Sequence, residues 1–205
     1  MSRRKSESSL SRPKMPDQRF GCVVIAQFIK MLMKDGKKQK AARIVYLALE
    51  ELNAYNKQHK LFTPVVNKDE SDGEERESDH SGGSAEVAKV ISMGNLEGAA
   101  ADRALLSVFN EVLDRAGPTL ELVSKRIGGA NIQVPVSVRS DRRITLALRA
   151  IIRNSRARIS QCKSMVAALT QEMIGVLKGS ARTLDDKEQM LRMAKANAVF
   201  QGMKR

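Results

Sequence analysis

The sequence predicts a mainly α protein, a bundle of about six helices with one protruding β-hairpin. Three observations carry this. Apolar residues recur at three- and four-residue spacing through most of the chain, the mark of amphipathic helices. Aromatics are only 3% of the 205 residues, with no Trp, so the core is aliphatic and built largely from helix formers. Between Leu120 and Val138 the period falls to about two, across a Gly-Gly pair. The length fits one domain with a real core.

The chain opens on a basic, Ser-rich arm, residues 1–19, with Pro13 and Pro16 and no periodicity. Arg3, Arg4, Lys5, Arg12 and Lys14 stand against a single acid, Glu7, ahead of Pro16. Such an arm is expected to order on a polyanion, the bland alternative being a solubilising tail. From Phe20 the pattern is helical: Val23, Val24, Phe28, Met31 and Leu32 form a stripe that Asp35-Gly36 terminates. A second helix is expected from about Gln39 to Asn56, with Ile44, Leu47 and Leu49–Leu52 on its apolar side and Val45 and Ala48 filling in. The join, DGKKQK, sets Lys37, Lys38 and Lys40 at the positive end of that helix's dipole, where cations are unfavourable. An anion there would meet both the lysines and the free N–H groups of the first turn, against the alternative of an exposed turn that tolerates lysine.

Residues 57–100 break the periodicity. VVNKDESDGEERESDHSGGSAE is acidic, rich in Ser and Gly and short of apolar anchors, and reads as a flexible insertion. His59 and His80 fall in or beside it, with no neighbours suited to metal binding or general-base work. Helix resumes over about Ala101–Arg115, with Leu105, Val108, Phe109, Val112 and Leu113 as its stripe, and Gly117-Pro118 ends it. The helical domain thus comprises residues 20–56 and 101–205, with the hairpin at 120–139 inside it.

In that hairpin, TLELVSKRI and NIQVPVSVR flank Gly128-Gly129, and Pro135 keeps the second strand out of a central-sheet position. Lys125, Arg126 and Arg139 lie on it, with no acid between Ser124 and Ser140. The last two helices are expected over about Ser164–Lys178 and from an N-cap at Thr183, with Asp185-Asp186 in the first turn. The final helix carries Met190, Met193, Ala194 and Phe200, a stripe read as core filler.

The helix after the hairpin is the most informative element. Ser140-Asp141 starts it and RRITLALRAIIRNSRARI follows. In helical projection, Arg142, Arg149, Arg153 and Arg156 fall within an arc of roughly 60°. Ile144, Ala147, Leu148, Ile151 and Ile152 take the opposite side. From Arg142 to Lys163 there are seven basic residues, Arg143 and Lys163 among them, and no acid. A solvated basic face ordinarily interleaves acids that pair along the helix. Here none does, so the column is expected to bind a polyanion, Arg fitting phosphate bidentately.

Overall charge agrees. The chain carries +13, and residues 56–100 hold 5 basic against 9 acidic side chains, so the remainder has 31 against 14, or +17. That balance points to nucleic acid. The acidic run could shield the basic surface as an RNA mimic before assembly. Cys22 and Cys162 form no CxxC pair and no zinc spacing, and both read as free, buried thiols of a reducing compartment. The longest apolar stretch, around Cys22–Met33, is broken by Gln27 and Lys30 and is too short to span a bilayer. The opening MSRRKSESSLSRPKMP has no apolar core of a secretory signal. No phosphate-loop, HExxH or Ser/His/Asp pattern appears, so no enzyme activity and no cofactor or metal is expected. RNA is favoured over DNA, since no helix-turn-helix or finger pattern is present.

The motifs PDQRFG (Pro16–Gly21), MLMKDGKK (Met31–Lys38), IVYLALEEL (Ile44–Leu52), GPTLELVSKRIGGANIQVPVSVRSDRR (Gly117–Arg143) and RMAKANAVF (Arg192–Phe200) agree in order and spacing with a known family. The chain resembles the small-subunit ribosomal protein seven family in its bacterial or organellar form, over nearly everything outside residues 57–100. The resemblance implies a helical protein with a protruding hairpin that binds the 3′ major (head) domain of small-subunit rRNA and organises head assembly. It implies a hairpin near exit-site tRNA and the mRNA path, beside neighbouring ribosomal proteins of head and platform. Carried onto this sequence, the rRNA-binding positions are Arg3, Arg4, Lys5, Arg12, Lys37, Lys38, Lys125, Arg126, Arg139, Arg142, Arg143 and Arg149, with Gly128 and Gly129 as the tight positions of the hairpin. Two departures stand out: Ile132 where bacterial members commonly have an aromatic, and Arg149-Ala150 in place of Arg-Trp. The acidic segment is foreign to compact bacterial members and favours an organelle with a drifting ribosome. The expected location is therefore a mitochondrial ribosome, with a plastid or a bacterial cytoplasm as alternatives. Two other function classes stay open: a free RNA-binding regulator acting on an mRNA, and, less favoured, a DNA-binding or membrane-surface protein.

Overall fold

A computed structural model describes residues 15–62, 100–127 and 129–202. The arm positions Arg3, Arg4, Lys5 and Arg12, the acidic run with His80, and Gly128 lie outside the described residues. Six α-helices and one two-stranded ribbon make up the described chain. They are α1 (Val23–Leu32), α2 (Lys38–His59), α3 (Ala100–Ala116), β1 (Leu120–Ile127), β2 (Ala130–Ser137), α4 (Ser140–Arg158), α5 (Met165–Lys178) and α6 (Arg182–Ala196), followed by a 3-10 turn, Ala198–Gly202. This is the mainly α bundle with one hairpin that the sequence predicts.

The segment before α1 is folded by Asp17. Its Oδ2 accepts from the N–H groups of Arg19 and Phe20 at 3.1 and 3.3 Å, and its Oδ1 accepts from the Tyr46 hydroxyl at 2.7 Å. Burial and that bond push Tyr46 up to about 12. Arg19 lies over the Phe20 and Tyr46 rings and pairs with Glu50 at 2.6 Å. The PDQRFG motif is thus a clasp that fastens the end of the arm to α2.

Helices α1 to α5 share one aliphatic core, at whose centre Phe28 of α1 stacks on Phe109 of α3 with centroids 5.7 Å apart. On α3, Leu105, Val108, Phe109, Val112 and Leu113 are all buried, as their spacing predicts. On α2 the buried face is Ala41, Val45, Ala48, Leu49 and Leu52. Leu47 is 41% exposed and Ile44 half-buried, so the apolar side is rotated from the expected one. Position 47 falls outside the i, i+4, i+7 row that Ala41, Val45, Ala48 and Leu52 define. The helix also runs past Asn56 to His59. Asn56 is buried and holds the returning chain, donating to the Phe62 carbonyl at 2.7 Å and accepting from its N–H at 2.9 Å.

Toward the C-terminus, Ser164 caps α5 by accepting from the Ala167 N–H at 3.2 Å. The final helix differs from the sequence reading. Thr183 is not its N-cap but a buried residue of its first turn, and its hydroxyl donates to Glu172 Oε1 of α5 at 2.7 Å. Met193 is 42% exposed rather than core, because only Thr183 and Ala194 of α6 are buried, and Phe200 lies in the 3-10 turn.

In the ribbon, β1 and β2 are antiparallel, from Leu120 opposite Ser137 to Ile127 opposite Ala130. That register leaves a two-residue turn, and Gly129 there has φ 88°, a left-handed conformation that Gly adopts without strain. Pro135 pairs with Leu122. The ribbon is supported by α6 and by the 3-10 turn, with Val134 buried and Val123 44% exposed. Of the free cysteines, Cys22 is buried, which pushes its thiol up. Cys162 is half-exposed, contrary to expectation, because it sits in the turn after α4, where its thiol donates to Gln171.

Candidate nucleic-acid interface

Helix α4 is two-faced as projected. Ile144, Ala147, Leu148, Ile151 and Ile152 are buried, and Arg142, Arg149, Arg153 and Arg156 are exposed. The absence of acids along the helix does not leave the column unpaired, however. Other elements supply them: Arg142 pairs with Glu121 of β1 at 3.1 Å and Arg153 with Asp186 of α6 at 2.8 Å. Arg156 donates to the Leu32 carbonyl at 3.2 Å, where the last turn of α1 presents unsatisfied acceptors and the negative end of its dipole. Arg149 has no acidic partner among the described residues.

Asp186 is a shared acceptor. Burial pushes its carboxyl up, but bonds from Asn154 at 2.9 Å and from Arg153, with the charges of Arg153 and Arg182, outweigh it and hold the group below the usual carboxylate range.

The fold brings two of the sequence-predicted clusters together. A surface groove lined by Met31, Ile152, Arg149, Arg153 and Arg156 runs beside α4. A second groove, sharing Arg156, contains Lys37 and Lys40 from the start of α2. Lys34 lines it too. Sequence reasoning missed Lys34, although it directly precedes DGKK and its carbonyl closes that turn by accepting from the Lys37 N–H at 3.1 Å, with Asp35 at φ 52° and Gly36 at φ 71° between them. Helix α2 has neither a side-chain cap nor an acid in its first turn, so its own residues do not offset Lys37, Lys38 and Lys40 there.

Two arginines of α4 also pack against the fold. Arg143 is half-buried against Gly117, where an added Cβ would stand 2.7 Å from its Cγ and Nε. It donates to the Asp114 carbonyl at 2.9 Å, with the Asp114 carboxylate 3.8 Å away. Burial pushes Asp114 up, against the opposing charge of Arg143. Arg158 reaches the fully buried Glu172 at 3.4 Å. Of the remaining predicted residues, Arg126 and Arg139 are exposed on the ribbon and at the N-cap of α4, Lys125 is half-buried, and Lys163 is exposed in the turn before α5. Among the described residues no His/Cys/Asp/Glu group could hold a metal ion, and no helix is long and apolar enough to cross a membrane.

A family profile described as Ribosomal protein S7p/S5e matches residues 2–198. The chain belongs to the ribosomal protein S7p/S5e family. Among its relatives, the small ribosomal subunit protein uS7 of Coxiella burnetii is 36% identical over 202 residues, covering 98% of this chain and 97% of the relative. The uS7 proteins of Chloroflexus aggregans and Neisseria meningitidis are 33% and 34% identical over 189 residues, covering 92% of this chain and 90% and 91% of theirs. All three relatives are small ribosomal subunit proteins, and all three are bacterial.

Proposed function

We propose that this chain is a structural component of the small ribosomal subunit and binds small-subunit rRNA through the exposed face of α4 and the lysine turn before α2. The observation that carries this is the junction at Arg156, which joins Arg149 and Arg153 on one side to Lys34, Lys37 and Lys40 on the other. A continuous cationic track of this kind follows a phosphate backbone. The finer reading rests on the family resemblance. The rRNA is that of the 3′ major (head) domain, the chain nucleates head assembly, and the ribbon carrying Lys125, Arg126 and Gly128-Gly129 lies near exit-site tRNA and mRNA. The acidic segment supports a mitochondrial ribosome, and the bacterial relatives support a bacterial one.

Sucrose-gradient fractionation of cells expressing the tagged chain tests the assignment, with fractionation of organelles deciding the compartment. The chain is expected in the small-subunit peak. Its absence from that peak, with recovery on free mRNA, would establish the regulatory alternative instead.

A further inference from the structure

The second groove has a feature that phosphate tracking does not require. Its rim is cationic, formed by Lys34, Lys37, Lys40 and Arg156. Its floor is apolar, formed by Ile44, Ile159 and Met165, and Ile159 is 45% exposed. Among the described residues no acid lines it. Cations alone suffice for a phosphate, so a bare aliphatic floor between them leaves apolar surface uncovered in the midst of a basic face.

We propose that this groove receives one unstacked nucleobase of the bound RNA, its flat face on Ile159 and Met165 and its flanking phosphates on the lysines. The inference rests on the rRNA-binding reading above and narrows it to a site. Several observations select this occupant. The rim is of one sign and complements a nucleotide's phosphates, while the floor complements a base's π-face. The groove is continuous through Arg156 with the arginine face of α4. Arg156 is held by the Leu32 carbonyl at 3.2 Å, so its planar guanidinium is already positioned as a stacking surface. A base inside a duplex cannot enter such a groove, which places the contact at a loop, bulge or single-stranded junction.

The test uses the full chain and a transcript of the 3′ major domain of small-subunit rRNA, with affinity measured across a salt series. Ile159→Ser and, independently, Met165→Gln should each weaken binding about three- to tenfold, the scale of a lost apolar contact. Both should leave the salt slope unchanged, since no phosphate contact is lost. Lys37→Gln should instead lower the slope by about 0.7–0.9. A transcript carrying 4-thiouridine should photo-crosslink to the peptide spanning residues 159–165. Wild-type affinity in both apolar variants, with no crosslink in that peptide, overturns the proposal. It does so equally if the groove proves to seat an anionic segment of a neighbouring protein. If Arg149→Gln still weakens binding in that case, rRNA binding stands and only the base site falls. Failure of the wild-type chain to bind the transcript would remove both.

Discussion

Arg153 of α4 and Asp186 of α6 meet at 2.8 Å on the exposed arginine face, and Asn154 donates to the same carboxylate oxygen at 2.9 Å. One arginine of the proposed phosphate track is therefore already engaged by the protein's own acid. Arg153 is 65% exposed, so the pair contributes little to stability, within about 1 kcal/mol.

Asp186→Asn should consequently raise affinity for the rRNA transcript, about two- to fivefold at low salt, with the gain fading as salt screens it. Filter binding at two ionic strengths checks this. A loss of affinity would show that Asp186 holds Arg153 in its binding position rather than competing with the phosphate.

Charge reversal separates binding from folding only at Arg149. Arg149→Glu should weaken rRNA binding strongly and leave the unfolding temperature unchanged. Reversing Arg142 or Arg153 would set a new carboxylate against Glu121 or Asp186, and is expected to lower the unfolding temperature slightly as well. Thermal unfolding followed by circular dichroism, run beside the binding assay, separates the cases.

Arg143 gives the opposite pattern. Arg143→Ala should cost about 1–3 kcal/mol, since it leaves the half-buried Asp114 carboxylate with Lys187 as its remaining cation and frees a backbone acceptor. Gly117→Ala should cost about 1–3 kcal/mol, because the new methyl meets Arg143 and stands 3.0 Å from the Leu113 carbonyl. Denaturant unfolding measures both, and neither should alter the salt slope of RNA binding. A lowered slope in Arg143→Ala would return it to the phosphate contacts.

The buried Glu172 links α4, α5 and α6 by accepting from the N–H and hydroxyl of Thr183 at 3.0 and 2.7 Å and pairing with Arg158. Glu172→Ala should destabilise by about 1–3 kcal/mol, because it leaves the buried Thr183 N–H and hydroxyl without their acceptor while Arg158 can turn to water. Thr183→Val should cost about 1–2 kcal/mol. Equal stability in both variants would mean that packing alone fixes α6.

Acid should loosen the α4–α6 contact. The Asp186 carboxyl is held below its ordinary 3.8, so its stabilising contribution is fully present above that value and is lost as pH falls through the lower folded value. Wild-type and Asp186→Asn unfolding curves are therefore expected to differ at neutral pH and to converge well below pH 3.8. A constant difference across that window would contradict the assignment.

The helices, their order and the ribbon were legible because apolar period and glycine placement are local properties. The arginine face was legible for the same reason. Its partners were not: Glu121 and Asp186 come from a strand before α4 and a helix after it, and no periodicity along α4 reports them. Thr183 looked like a cap because caps and buried hydroxyls use the same residue types, and the difference lies in Glu172, a turn of helix and a loop away. Leu47 and Met193 look like core by hydrophobicity and are exposed, since rotation about the helix axis is fixed by what packs against it. Arg143 and Arg149 are the same residue type on one helix, and only contacts from α3 and Gly117 show that Arg143 is half-buried while Arg149 faces outward.

The support beneath the β-ribbon has a temporal consequence. The ribbon rests on α6 and on the 3-10 turn at Ala198–Gly202, yet both follow it in the chain, with α4 and α5 in between. During synthesis the two strands emerge first and have nothing to lean on, and an isolated two-stranded ribbon is marginal in water. The ribbon is therefore unable to reach its native position until α6 and that turn have been made and have folded back beneath it.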